Sequence, residues 1–325
     1  MRFLNRWKGL AAAAAAAALL TGCRGGIPIV SQVREIEGYP LRQAMIVAAT
    51  EKNRYEDAYT DQLWQTVLDE DGTTVQTFFL EQVEEFLREQ KTVTLLAEEE
   101  GIQLNGEEQG LVSQLSQEYF QGLTAEDVAY MGITQEDVQT MYSDYCLANK
   151  AVAELTKDMD LEVSDSEAKV IDIQQIEVAD EETADTVLAL TQEEGADFAR
   201  IAGEYSINSQ IDRQLARGEA DAALEEGAFA LQEGQVSGVI SCGQTFYIVK
   251  CVSDYNEAAT QERKAALELL KKERGFKGIY DEFAADHVVT FGEDFWDGVD
   301  FSGDGCTTTS FFELYRGWLC SAASR

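Results

Sequence analysis

The sequence predicts an α+β fold: a helical body built from both ends of the chain, with a small α/β unit inserted at residues 165–256. Three observations predict it. Runs rich in Val, Ile and aromatic residues bounded by turn residues are concentrated between residues 170 and 252. Helical apolar spacing flanks that stretch on both sides. Only two prolines occur among 325 residues, which suits long, uninterrupted helices. The expected division is a targeting segment over 1–22, a tether over 23–39, a helical part over 40–164, the inserted unit over 165–256, and a returning helix with an aromatic tail over 257–325.

The first 22 residues carry Arg2, Arg6 and Lys8 ahead of an alanine run closed by Leu19 and Leu20. This is the positive-then-apolar layout of an export signal. Leu20-Thr21-Gly22-Cys23 resembles a bacterial lipobox, in which the cysteine is acylated and becomes the new N-terminus. Two acyl chains at Cys23 would suffice for stable anchoring. The competing reading is a lone cysteine behind an ordinary signal peptide or an N-terminal membrane helix. No later run approaches the ~18 apolar residues of a spanning helix. The expected location is therefore the outer side of a bacterial cell membrane, held by lipid.

Helical spacing then runs from about Leu41 to Val67, with Tyr55, Tyr59, Leu63 and Val67 four apart or in line. Asp69-Glu70-Asp71-Gly72 breaks it. A second helix over about 74–100 presents Phe79, Val83, Phe86 and Leu87. Asn105-Gly-Glu-Glu108 has capping-box spacing, and Thr124 and Thr134 each precede an acid by three residues, so three further helices start there. A last long helix is expected from Glu257 to about Ala285, loosened midway by Gly275 and Gly278. The tail holds Phe295, Trp296, Phe301, Phe311, Phe312, Tyr315 and Trp318, too aromatic for a disordered segment. It is expected to pack on the helical body; a client-binding patch is the second reading.

Within the inserted unit, residues 170–178 read as a strand, and residues 181–194 as a helix stopped by Gly195. A second helix carries Phe198, Ile201, Ala202 and Tyr205 on one stripe. After an irregular segment come two β-rich runs, 239–242 and 245–252, joined by Gly243-Gln244, a turn that pairs Cys242 with Thr245.

That order of motifs resembles the parvulin family of peptidyl-prolyl isomerases. Gln175-Ile-Glu-Val178 stands where the family has a His-Ile-Leu-Val-like strand end. Gly195-Ala-Asp-Phe-Ala-Arg-Ile-Ala-Gly-Glu-Tyr-Ser206 and Ala228-Phe-Ala-Leu-Gln-Glu-Gly-Gln-Val-Ser237 match two further family segments. Thr245-Phe-Tyr-Ile-Val-Lys-Cys251 matches the closing strand. The phrasing of residues 101–108 and 131–138 also resembles the helical lobe of PrsA- and SurA-type folding factors, which implies a chaperone lobe made by the N- and C-terminal segments. Carried over residue by residue, the family's two histidines fall on Gln175 and Tyr247. Its Cys/Asp position falls on Gln214, and its proline pocket on Ala220, Leu224 and Phe229. Only Phe229 keeps the family residue.

Xaa-Pro isomerisation faces a barrier of ~18–20 kcal/mol set by amide resonance and needs no cofactor. A catalyst grips the proline ring and aims hydrogen bonds at the twisted amide. Gln175 and Tyr247 can form hydrogen bonds, but Ala220 and Leu224 trim the apolar wall. Two readings follow from the resemblance: an isomerase of exported polypeptides, and a holdase that binds unfolded chains through a degenerate parvulin domain. A solute-binding lipoprotein is disfavoured because repeated βαβ units are missing.

Composition narrows the partners. A net charge of −35 argues against nucleic acid and anionic lipid surfaces. It suits a solvated surface, or basic and mixed-charge clients. Cys146, Cys242, Cys251, Cys306 and Cys320 have no metal-ligand spacing, and their pairing stays open. The single histidine, His287, builds neither a metal site nor a dyad alone. No metal or cofactor is expected, and the oligomeric state is not legible.

Overall fold

The computed structural model describes residues 33–302 and 305–322, with side chains through residue 317. The targeting segment and Cys23 lie outside them, as do the side chains of Trp318 and Cys320. In chain order the elements are β1 (Arg34–Glu37), α1 (Leu41–Ala58), α2 (Val75–Glu99), α3 (Gly106–Gly122), α4 (Ala125–Met131), α5 (Gln135–Thr156) and α6 (Asp165–Ala168). Then follow β2 (Val170–Val178), α7 (Glu181–Thr191), α8 (Phe198–Tyr205), β3 (Asp212–Ala216), α9 (Ala222–Phe229), β4 (Ile240–Cys242) and β5 (Thr245–Ser253). The chain closes with α10 (Glu257–Asp286), β6 (His287–Thr290) and α11 (Phe311–Ala322). They fall into two compact units: Met1–Asp158 with Gly275–Arg325, and Met159–Arg274. The division lies inside α10, which is continuous through Gly275 and Gly278.

The first unit is helical. Its starts follow local side-chain chemistry: Asn105, Thr124 and Thr134 each accept from the backbone three residues on, and Glu108, Asp127 and Asp137 answer in complete capping boxes. Each such cap contributes about 1 kcal/mol. Asp137 also receives Arg42 Nε at 2.7 Å and Gln43 Nε2 at 3.0 Å. Burial alone would raise its carboxyl; the hydrogen bonds from Thr134, Arg42 and Gln43 outweigh that and hold it at about 2.

The core joins Ile46 of α1, Val83 and Leu87 of α2, and Met141 and Tyr142 of α5. The aromatic tail belongs to it. Phe301 lies 4.9 Å from Trp64 and 5.7 Å from Phe79, and Phe311 stacks on Tyr142 at 4.2 Å. These rings are buried, so Phe301, Phe311 and Tyr315 are packing residues rather than a client patch. A second cluster seats Phe276 and Phe283 of α10 among Val93, Leu96, Ala148 and Ala151.

Three features differ from the sequence-based expectation. The helix expected to reach Val67 stops at Ala58, and a 3₁₀ turn over Asp61–Gln65 follows. That turn lets Trp64 bury its ring and donate Nε1 to Glu56 at 2.7 Å, leaving Tyr59 and Val67 exposed rather than on an apolar stripe. Second, the segment taken as a tether ends in β1, which pairs in parallel with β6, Arg34 opposite His287. Third, the segment expected to be irregular contains β3 and α9.

The second unit is a four-stranded antiparallel sheet in the order β3-β2-β5-β4. Alternation along β2 sends Ile176 and Val178 to a face covered by Ala184 and Val187 of α7 and Phe198 and Ile201 of α8. Ile171 and Ile173 go to the other face, with Leu215 of β3 and Val249 of β5, under Leu224 and Ala228 of α9. The β4–β5 turn pairs Cys242 with Thr245, as its residues imply, with Gly243 at φ 64°. Gly227 lets α9 approach β4: a Cβ there would fall 2.5 Å from Ile240 Cδ1.

Candidate functional site

The α9-side face of the sheet carries most of the expected site. Gln175 lies opposite Val249, and Tyr247 lies opposite Glu177, so Gln175 and Tyr247 are diagonal neighbours on adjacent strands. Gln175 is 2% exposed. Its Nε2 donates to the Gln210 carbonyl at 3.1 Å, and its Oε1 has no hydrogen-bond partner. Burial first, and then the Glu177 carboxylate, push the Tyr247 hydroxyl up, so it is a protonated donor at neutral pH.

Gln214 does not join them. It pairs with Asp172 and is exposed, whereas its neighbour Leu215 enters the core beneath α9. Successive strand residues point to opposite faces, so the α9-side face of β3 is held by Arg213 and Leu215. Gln214 therefore lies on the opposite face from Gln175 and Tyr247. The pocket residues are brought together but filled differently from an open groove. Leu224 is 3% exposed and serves the core between α9 and the sheet. Ala220 and Phe229 are half-buried at its edge, and the Arg217 guanidinium lies over the Phe229 ring at 4.3 Å.

Two neighbours were not singled out from sequence. Glu177 sits two residues beyond Gln175, and that period alone could have found it. Cys242 follows from the hairpin register: opposite Thr245, it shares a face with Tyr247. Burial, with the Asp221 carboxylate beside it, pushes the Cys242 thiol up. Cys146, Cys242, Cys251 and Cys306 are all free thiols. Among the described residues no group of three His, Cys, Asp or Glu side chains could hold a metal ion. His287 stacks on Phe283 at 4.0 Å, in the first unit.

The loop bearing the pocket is tied down by charge. Glu225 Oε1 accepts from the backbone of Glu219 and Ala220 at 2.8 and 3.0 Å. Arg263 binds Glu219 Oε1 and the Arg217 carbonyl, each at 2.6 Å. The arrangement can hold an apolar ring near Phe229 and present a few fixed polar groups to a peptide bond.

Residues 161–268 match the family described as the PPIC-type PPIASE domain. This span includes Gln175, Tyr247 and the whole sheet, and the chain carries a parvulin-type domain there. Among solved structures, the chain is similar to foldase protein PrsA from Streptococcus pneumoniae str. Canada MDR_19A, at 21% identity over 71% of this chain and 96% of that one, TM-score 0.28. It is similar to PrsA from Bacillus cereus at 17% identity over 76% and 97%, TM-score 0.39. A structure of SurA-like chaperones from Campylobacter jejuni matches at 13% identity over 67% and 94%, TM-score 0.29. No curated protein matches the chain.

Proposed function

We propose that this chain is a folding factor, anchored by lipid on the extracytoplasmic side of a bacterial membrane, that holds exported polypeptides and has little prolyl isomerase activity of its own. The parvulin-type domain is the premise. The observation that carries the reading is the pair Gln175 and Tyr247, side by side on the expected face but without imidazoles. Gln175 gives one amide N–H to the Gln210 carbonyl and is buried, and the Tyr247 hydroxyl lies by Glu177. Few donors remain for a twisted amide. Each missing or misaimed hydrogen bond costs roughly 3 kcal/mol, about a hundredfold in rate.

Holding a client asks less: apolar surface with a charged rim. The helical unit offers an open cavity of about 610 Å³ lined about equally by apolar residues, Ile102, Leu104, Val112 and Leu147, and by polar ones, Glu98, Gln103, Gln109, Gln139 and Ser143. It also exposes Tyr59, Val67, Leu68 and Phe78. No described helix is long and apolar enough to cross a membrane, and anchoring through Cys23 is the means we propose.

The test pairs two assays on the full chain: suppression of aggregation of a reduced, unfolded protein, and Xaa-Pro exchange in a proline peptide followed by NMR. Strong suppression with near-background exchange supports the proposal. Robust exchange that collapses on Gln175→Ala or Tyr247→Phe would make the protein an isomerase with an unusual site. Fatty-acid label that fails to enter the wild type, or that enters Cys23→Ser equally, would remove the anchor.

A further inference from the structure

We infer that the parvulin-type site selects prolyl segments with a lysine or arginine directly before the proline, and that Glu177 reads that charge. This rests on the peptide-binding reading above. Glu177 lies on the same face as Gln175, opposite Tyr247, and is half-buried. The loop after α8 holds it in place. Its backbone N–H donates to Ser206 Oγ at 3.1 Å, its carbonyl accepts from Ile207 at 2.8 Å, and its Oε2 accepts from Asn208 Nδ2 at 3.1 Å. Ser206 Oγ in turn donates to the Asn208 carbonyl at 2.9 Å. A carboxylate held this way is preorganised rather than free to swing into water.

Among the described residues no lysine or arginine forms an ion pair with Glu177. The nearby cations are committed. Arg217 covers Phe229, Arg263 is bound to Glu219, and Arg213 reaches toward the Glu219 carbonyl. On the far side of Tyr247, Cys242 brings in a second carboxylate, that of Asp221.

The floor points the same way independently. Gln175 Oε1 is a buried acceptor without a donor. Around Tyr247, then, the Glu177 carboxylate lies opposite, the orphaned Gln175 amide oxygen lies buried on the diagonal neighbour, and the Asp221 carboxylate stands one residue further off beside Cys242, so acceptors outnumber donors on this face. Such a surface is complementary to N–H groups and positive charge, and repels an acidic residue at the same position. The apolar edge at Phe229 suits the proline ring beside it.

The experiment measures fluorescence anisotropy with the full chain at physiological ionic strength, where the general attraction of an acidic protein for cations is screened. Three labelled hexapeptides differ only in the residue before the proline: lysine, norleucine or glutamate. Norleucine keeps the length of the lysine stem and lacks its charge. A fourth peptide has lysine followed by alanine in place of proline. The expected result is that the lysine peptide binds about tenfold more tightly than norleucine, and glutamate most weakly. Glu177→Gln, which can still accept from Asn208, should remove most of the lysine preference. Asp185→Asn, an equal charge change on the exposed side of α7, should leave it intact.

Equal binding of the lysine and norleucine peptides to the wild type would overturn the inference while leaving the proline reading standing. So would a lysine preference that Asp185→Asn lowers as much as Glu177→Gln. If the alanine peptide bound as well as its proline counterpart, the reading of this face as a prolyl site would fall and take the inference with it; if no peptide bound, the peptide-binding reading itself would fall first.

Discussion

Replacing Gln175 by leucine should leave the parvulin-type domain as stable as before, or more stable by about 1 kcal/mol, although glutamine sits at the centre of the candidate site. The magnitude follows from its surroundings. Gln175 is 2% exposed and its Oε1 is unpartnered, a state that costs roughly 1–3 kcal/mol. Its one side-chain bond, to Gln210 at 3.1 Å, contributes about 1 kcal/mol, and Gln210 is exposed enough for its carbonyl to turn to water. Leucine nearly conserves the volume and faces Val249 and the apolar residues beneath α9. Gln175→Ala, by contrast, opens a cavity and should cost about 2 kcal/mol or more. All four tryptophans lie outside residues 159–274, so their fluorescence is blind to this unit. Native-state hydrogen exchange at the slowest amides of β2 and β5 reads it directly. A loss of more than about 2 kcal/mol in Gln175→Leu would refute the reasoning, because it would mean that Oε1 carries a hydrogen bond that leucine cannot replace.

The helical unit can be followed through buried Trp64. Asp137 is held at about 2 against an ordinary 3.8, so its contribution is present above about pH 4 and lost as the pH falls toward 2. Wild type should lose about 2 kcal/mol across that window relative to Asp137→Asn, measured by urea unfolding at a series of pH values. Phe301→Ala should cost about 3–5 kcal/mol in the same assay, because the buried ring packs against both Trp64 and Phe79; a cost below about 1 kcal/mol would mean that the tail is not part of the core. Gln175→His with Tyr247→His should raise Xaa-Pro exchange at least tenfold if diagonal placement on β2 and β5 suffices for catalysis; no change would show that the pocket is limiting. Adding Leu224→Phe should not help, since Leu224 already fills the space under α9 and the larger ring would cost roughly 1–3 kcal/mol in strain.

The sequence by itself determined whatever depends on neighbours a few residues apart. Asn105, Thr124 and Thr134 announce their helices because a cap and its partner are three residues apart. The β4–β5 hairpin announces its register because two turn residues leave Cys242 and Thr245 no other pairing. The strands that bear Gln175 and Tyr247 were legible for the same reason, each defined by its own pattern, whereas the choice of those two residues came from the family resemblance. Only the tertiary structure decided the rest. The face that Gln214 presents depends on how β3 docks after residues 207–211, where the Gln175 N–H reaches the Ile211 carbonyl at 2.9 Å. A slip of one residue there would turn every β3 side chain over. The pairing of Arg34 with His287 joins segments more than two hundred residues apart, and Gly38 beneath it has the Phe291 ring where a Cβ would stand, 2.5 Å away. No local pattern encodes such contacts, because the partners are far apart in the chain and only the packing of the helices between them brings them together.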